Sequence, residues 1–305
     1  MAKRLSSITL IFSPYHVGVR GAAVGAGPLR LQSLGLIPAL ENLGVTVREK
    51  QLEPVDAFEG EIGRSFELLR RTSIAVTEAR DSGSFPIICS GNCTASVGVW
   101  AGLCGSSEYA SKAPPSCIWF DAHDDLNTPD TIISGYWDSM PLSMMAGKCW
   151  RALLKTIPGF RALDLNQLIH IGMRDVTEAE RTGVEKAGFD VIWGSTEEKV
   201  DFNKGLGEVL KLKKGNMSET LVHVDLDSLD PSAGRASKYL APGGLLEEDL
   251  TGCLERIVDE TVPLSLTVAS FDPAFDTDDQ MANVAIRAIK SFVGSLLQKG
   301  LLMPQ

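Results

Sequence analysis

The sequence lacks any apolar run long enough to span a bilayer, and it also lacks a stripe of basic residues. Its net charge is −10, with 39 acidic against 29 basic side chains. Proteins that follow a phosphate backbone need clustered Lys and Arg, so this balance excludes that kind of nucleic-acid binder. The first residues also lack a long apolar segment followed by a small-residue cleavage site. We therefore expect a cytoplasmic protein with no membrane or nucleic-acid partner.

Cysteine pairs of the Cys-x-x-Cys type are missing as well. The six cysteines show no regular spacing, and most lie in apolar segments: Cys89, Cys93, Cys104, Cys117, Cys149 and Cys253. This distribution is typical of free, buried thiols rather than of a disulfide framework. Cys93 is the exception, because it lies in a segment with candidate chemistry.

No repeat, low-complexity tract or long linker divides the 305 residues, and we expect a single domain over residues 1–305. Short apolar runs predict eight strands, at 7–13, 45–50, 86–89, 116–120, 168–171, 189–193, 220–225 and 264–270. Amphipathic stretches between them predict helices at 28–42, 60–80, 178–187, 203–212, 247–258 and 279–298. This alternation favours an α/β fold with an open parallel sheet and helices on both faces. Eight strands could also close into a barrel.

Two of the predicted strands end in dense acidic clusters, CIWFDAHDD at 117–125 and LVHVDLDSLDP at 221–231. The carboxyl ends of strands in an open α/β sheet are where ligands bind. A side-chain period of two predicts that alternate residues of each cluster point to one side, with His223 among them if its strand stays regular. Carboxylates this dense need positive charge among them, so we predict a site for two divalent cations. The candidate ligands are Asp121, His123, Asp125, Asp225 and Asp227.

Four motifs follow one another along the chain: GAGPLR at 25–30 with a later GL, DAHDDLNTP at 121–129 with SG at 134–135, HIGMRD at 170–175, and DLDSLDP at 225–231 with a later GGL. In this order they resemble the motifs of the ureohydrolase superfamily, which comprises arginase, agmatinase and formiminoglutamase. The resemblance runs nearly from end to end.

The resemblance implies an arginase-like fold with a binuclear centre, usually of two Mn²⁺ ions per chain. In that family a hydroxide that bridges the metals attacks a guanidine or amidine carbon of a small-molecule substrate. It also implies a homo-oligomer, either a trimer or a hexamer. The implied ligands are Asp121 and Asp225 for both ions, Asp125 for one ion, and His123 and Asp227 for the other, with Asp230 in a supporting role.

The chain departs from the family at SGNCT, residues 90–94, where the family has GGDHS with a metal-binding histidine. Cys93 therefore stands at a ligand position. A thiolate binds softer ions well, so Zn²⁺, Fe²⁺ or Ni²⁺ are candidates beside Mn²⁺, and a nearby helix N-terminus would favour the thiolate. Cys93 could instead pack inertly, or act as a nucleophile beside a histidine with Asn92 as an oxyanion contact.

A second departure concerns proton transfer. Arginases carry a catalytic histidine in SG-x-x-H-G, and Asp138 stands at its place here. A buried carboxyl group with a raised pKa could move the proton, and Asp124 is the second candidate catalytic residue. Alternatively, Asp138 caps a helix predicted at 140–147.

A third departure concerns the substrate. The guanidinium-binding glutamate of the family precedes a proline by three residues, and Ser270 stands there before Pro273. The bidentate pair of carboxylate and guanidinium is then lost unless Asp272 replaces it, and we do not expect arginine to be the substrate. The candidate substrate-binding residues are Asn127, Ser134, Tyr136, Ser270 and Asp272.

Together these features predict a metal-dependent hydrolase of a non-peptide C–N bond, in a guanidine, an amidine or a linear amide other than arginine. Two alternatives stay open. One is a non-hydrolytic enzyme that cyclises or dehydrates a specialised metabolite with the same site or with Cys93. The other is a catalytically silent binding protein with the same fold.

Overall fold

The described part of the chain folds around one parallel sheet of eight strands. The computed structural model describes residues 5–56, 59–109, 111–213, 215, 217 and 219–304. Along the chain the strands are β1 (Ser7–Ser13), β2 (Tyr15–His16), β3 (Val19–Arg20), β4 (Val47–Gln51), β5 (Ser84–Ser90), β6 (Ser116–Phe120), β7 (Leu168–Ile171), β8 (Asp190–Ile192), β9 (Glu219–Asp225) and β10 (Val262–Ala269). The short strands β2 and β3 pair with each other as a hairpin outside the sheet.

The sheet is open. Its strand order is β4-β1-β5-β10-β9-β6-β7-β8, and neighbouring strands are parallel. Strands β4 and β8 each pair on one side only, so the described strands do not close into a barrel. The predicted strands and the open α/β sheet are confirmed, and the barrel alternative is wrong. The domain bounds of 1–305 include residues outside the described ranges and stay a prediction.

Helices cover both faces because the strand side chains alternate between two apolar cores. Ile118 and Phe120 belong to one core, whereas Cys117 and Trp119 belong to the other. None of the helices in the described ranges is both long and apolar enough to cross a bilayer. The helices are α1 (Gly27–Ser33), α2 (Leu36–Glu41), α3 (Glu61–Asp81), α4 (Ala95–Gly105), α5 (Pro141–Met145), α6 (Arg151–Leu154), α7 (Glu178–Ala187), α8 (Phe202–Leu212), α9 (Glu247–Glu260) and α10 (Gln280–Gln298).

The single helix predicted at 28–42 is wrong, because two shorter helices, α1 and α2, occupy this segment. Gly35 lies between them with a φ of +88°, in the left-handed region that interrupts a right-handed helix. Both α1 and α2 contact α10 on either side of this turn.

Helix α4 lies directly against α3 because one of its contact residues has no side chain. A Cβ atom at Gly98 would stand 2.6 Å from the carbonyl oxygen of Leu69 in α3. This close approach fixes the position of α4 and of the turn that joins it to β5. Cys93 lies in that turn, so the packing of two helices determines where the thiol stands.

Candidate metal centre and substrate cleft

The candidate residues gather at one edge of the sheet. Five strands that are neighbours in the sheet, β5, β10, β9, β6 and β7, end at this edge, because parallel strands share their direction. The turn with Cys93 follows β5, residues 121–125 follow β6, and Ser270 follows β10. Asp225 is the last residue of β9, which lies beside β6.

Each acidic strand end turns immediately after its first aspartate. Asp121 accepts a hydrogen bond from the backbone N–H of His123 at 2.7 Å, and Asp225 accepts one from the N–H of Asp227 at 2.8 Å. Asp125 has a φ of +49°, in the left-handed region. The prediction that an extended chain would align these side chains is therefore wrong, because tight aspartate turns bring them together instead.

One group of possible ligands faces the cleft. The Nδ1 atom of His123 lies 3.4 Å from Asp121 and 3.3 Å from Asp227, and its Nε2 atom lies 3.5 Å from Asp175. Burial opposes the protonation of His123, but the charge of Asp227 and hydrogen bonds to Asp121 and Asp175 outweigh it and raise its pKa well above the ordinary value. Burial likewise would raise the pKa of Asp227, yet His123 brings it down to about 2.

A second group is fully buried and consists of Cys93, Asp121 and His223. The Cys93 thiol donates to a carboxylate oxygen of Asp225 at 2.9 Å, and its Sγ atom lies 3.2 Å from Nε2 of His223. Nδ1 of His223 lies 2.8 Å from the hydroxyl of Ser96. In each of the two groups the possible ligand atoms lie within 4.8 Å of one another.

The charge of this centre fits bound cations. Burial and mutual repulsion raise the pKa values of Asp121, Asp125 and Asp225. Oδ2 of Asp125 is buried, and the described residues provide no hydrogen-bond partner for it. A buried carboxylate oxygen without a partner is costly unless a cation meets it. The donor set of carboxylates, imidazoles and a thiol is therefore suited to divalent metal ions.

The expectation that a helix N-terminus favours the Cys93 thiolate is wrong for the chain by itself. Cys93 does precede α4, but burial raises the pKa of its thiol well above the usual value, and nearby carboxylates, led by Asp225, raise it further. Cys93 is also absent from the described residues that line the cleft, which does not favour a nucleophilic role. Only a cation beside the sulfur would reverse this electrostatic balance.

Asp138 is held by the turn that contains Cys93. Its carboxylate accepts hydrogen bonds from the side-chain amide of Asn92 at 2.6 Å, from the N–H of Cys93 at 3.0 Å, and from the N–H and hydroxyl of Thr94 at 2.8 and 2.9 Å. Burial raises its pKa to about 6 against these donors. The helix-cap alternative is wrong, because α5 has no side-chain cap. Its role in proton transfer stays a prediction.

A cleft of about 600 Å³ opens above the acidic cluster. Six of the residues predicted for catalysis or substrate binding line it: Asp124, Asn127, Ser134, Tyr136, Asp138 and Ser270. Asp272 is not among the described lining residues. Its carboxylate accepts a hydrogen bond from the N–H of Ala274 at 3.0 Å, within its own turn, so the suggestion that it replaces the missing glutamate is not supported.

The start of helix α7 forms the wall of the cleft beside Asp124. Glu180 accepts a hydrogen bond from the side-chain amide of Asn127 at 2.9 Å, and it completes a capping box with Thr177 at the start of α7. Burial and the charge of Glu180 raise the pKa of Asp124 to about 7. Asp124 is thus a carboxyl group in the cleft that titrates near neutrality.

Sequence reasoning missed several lining residues, which come from distant segments: His16, Glu61, Asp175, Glu180, Ser237 and Tyr239. Two of them carried a local signal, because Asp175 ends the HIGMRD motif and because Thr177 and Glu180 have the spacing of a capping box. His16 lies in the hairpin of β2 and β3, and Glu61 begins α3. Nothing near them in the sequence indicates that they reach the cleft.

A model of the Arginase family matches residues 7–294, from β1 into α10. The arginase of Staphylococcus aureus (strain MRSA252) is 25% identical over 304 residues, which cover 95% of this chain and 98% of the relative. The structure of arginase from Bacillus caldovelox is similar with a TM-score of 0.83 at 23% identity, covering 95% of this chain and 99% of the other. Formimidoylglutamase from Bacillus subtilis gives 0.73 at 16% identity, with coverages of 96% and 88%. The two structural likenesses establish the fold alone.

Proposed function

The chain belongs to the arginase family, with that family's hydrolase fold, and from this premise we propose that it hydrolyses a guanidine or amidine C–N bond in a cationic small molecule other than arginine. The observation that carries the proposal is the charge of the cleft. Its described lining residues include eight carboxyl groups and no Lys or Arg.

The negative charge of the cleft is larger than the positive charge that two divalent ions would supply. Two divalent ions would balance the four aspartates at the strand ends, Asp121, Asp125, Asp225 and Asp227. Lining carboxyl groups outside that set then face the substrate, among them Glu61 and Glu180. Such a cleft attracts a cation and repels a carboxylate head group. A substrate with a positive charge at both ends fits it better than an amino acid does.

The aspartates, His123 and Cys93 are the residues that would hold the ions. When bound, divalent ions would lower the pKa of a water molecule and so provide a nucleophile near neutral pH. The fit rests on the crowded buried carboxylates and on the partnerless oxygen of Asp125 among the described residues. Mn²⁺ is the usual ion of the family, and the thiol makes Zn²⁺ or Fe²⁺ a candidate for one position.

Two residues of the cleft would shape the reaction. Ser270 offers a hydroxyl where the family has a carboxylate, so it cannot form the bidentate pair with a guanidinium group. Asp124 and Asp138 both line the cleft, but the carboxylate of Asp138 already accepts hydrogen bonds from the turn of Cys93, so Asp124 is the better candidate for proton transfer. Tyr136 and Tyr239 lie at the mouth, both partly exposed, where they can cover an alkyl chain.

The test is a hydrolysis screen of matched guanidines and amidines that end in an ammonium, a neutral group or a carboxylate. We expect the ammonium series to be preferred and arginine to be poor. Glu61→Gln should raise KM about fivefold for the ammonium series only, corresponding to about 1 kcal/mol. Glu208→Gln, a change at an exposed position of α8, is the matched control. A preference for the carboxylate series would contradict the proposal.

The assembly is proposed from family analogy, and the location from the lack of a signal segment in the first residues. We propose a trimer or hexamer in the cytosol, where the six cysteines, all free, would stay reduced. Light scattering after gel filtration measures the assembly, and a monomer at micromolar concentration would contradict it.

A further inference from the structure

We propose that the two ion positions differ in chemistry, and that His223 is a ligand of the inner one. The inner position includes Cys93, Asp121 and His223 and would take a borderline ion such as Zn²⁺ or Fe²⁺. The outer position includes Asp121, His123 and Asp227 and would take a harder ion such as Mn²⁺. This inference rests on the proposed function only for the presence of a metal centre.

The spacing of the inner group carries the first step. Sγ of Cys93 and Nε2 of His223 are 3.2 Å apart, and a carboxylate oxygen of Asp121 lies within 4.8 Å of both. A sulfur at about 2.3 Å and a nitrogen at about 2.0–2.1 Å from one tetrahedral ion stand roughly 3.5 Å apart. The two atoms are therefore close to the separation that a shared ion requires.

The orientation of His223 carries the second step. Its ring stacks on Trp119, with centroids 3.6 Å apart and planes at 22°, and its Nδ1 atom contacts the hydroxyl of Ser96 at 2.8 Å. These contacts leave Nε2 directed at Cys93. A metal-binding histidine usually has its second ring nitrogen held by a hydrogen bond in this way.

The two groups also differ in access. Cys93, Asp121 and His223 are at most 2% exposed, whereas the side chain of His123 is 35% exposed and lines the cleft. Structural metal sites are closed by protein ligands, and catalytic sites keep a position open. The inner ion would thus be retained, and the outer ion would exchange and face the substrate. Loading the inner site would release the thiol proton of Cys93 to solvent.

Cobalt is the probe for the test. The full-length protein is stripped with a chelator and reloaded with Co²⁺, and its absorption spectrum and bound metal are measured. We expect two ions per chain and a near-ultraviolet charge-transfer band from the thiolate. Cys93→Ser should remove the band, and His223→Phe should lower the count to one ion. The matched controls Cys89→Ser and His170→Phe change other buried residues and should keep the band and two ions.

X-ray absorption at the zinc edge of the zinc-loaded wild-type protein measures the ligand atoms directly. This measurement does not depend on variants, which could fold poorly. One sulfur at about 2.3 Å with nitrogen and oxygen neighbours is expected for the inner ion. The inference is overturned if no sulfur is seen, or if folded His223→Phe keeps two ions and an unchanged spectrum. Bound metal with one sulfur neighbour, but no hydrolysis in the screen, would refute the proposed function alone. Hydrolysis by a protein whose metal has no sulfur neighbour would refute only the inner site.

Discussion

The carboxylate of Asp138 accepts a hydrogen bond at 3.0 Å from the backbone N–H of Cys93, which lies 45 residues earlier in the chain. The contact joins the loop after β6 to the turn after β5, and Asn92 and Thr94 strengthen it. The residue at the place of the family's catalytic histidine thus positions a candidate metal ligand. We therefore expect the loss of the Asp138 carboxylate to lower the stability of the protein more than it lowers kcat.

Replacing Asp138 distinguishes positioning from proton transfer. Asp138→Ala leaves several buried donors without an acceptor, and we expect the free energy of unfolding to fall by at least about 2 kcal/mol, with loss of bound metal. Chemical denaturation and metal analysis measure both effects. Asp130→Ala, an exposed position in the same loop, should change stability by less than about 0.5 kcal/mol. An Asp138→Ala protein of normal stability and metal content, but with a low kcat, would instead support proton transfer.

Arg174 fixes the backbone of the segment that contains Asp227. Its guanidinium donates to the backbone carbonyl oxygens of Gly172, Asp227, Ser228, Leu229 and Ala241. A lysine cannot reproduce this fork, so Arg174→Lys should lower the free energy of unfolding by about 2–3 kcal/mol and weaken metal binding. Thermal melts with and without added Mn²⁺ test this prediction. Arg48→Lys, on the exposed edge strand β4, should melt like the wild type; equal melting of Arg174→Lys would contradict the assignment.

Ser270 sets the discrimination against arginine if the proposed function is correct. Ser270→Glu would restore a carboxylate where the family binds guanidinium, and we expect kcat/KM for arginine to rise at least tenfold, from a charge-assisted pair worth about 1.5–3 kcal/mol. Steady-state assays with arginine measure it. Ser237→Glu adds the same charge to another part of the cleft wall and should have little effect. An equal gain in both variants would mean that charge alone matters and not its position.

Local pattern explains why so much of the fold could be predicted. The eight strands and the acidic ends of β6 and β9 are encoded within windows of about ten residues, where apolar periodicity and abrupt polarity are visible. The prediction of helix 28–42 was wrong at Gly35, because a single glycine in a left-handed conformation overrides a helical pattern. The alignment of alternate aspartates was also wrong, since each strand ends at or before its first aspartate.

By itself, the sequence determined the eight strands of the sheet, the α/β class, the family and which residue types end the central strands, and it favoured the open sheet. Tertiary structure alone decided which of these side chains meet. It brought His223 into contact with Cys93, which is 130 residues away in the chain. It directed the carboxylate of Asp272 to a hydrogen bond within the local turn, and it placed His16 and Glu61 in the wall of the cleft. The physical reason is that strand order determines which strand ends become neighbours. Contacts between distant side chains depend on the strand order and on the packing of α4 against α3. Neither can be predicted from a local sequence pattern.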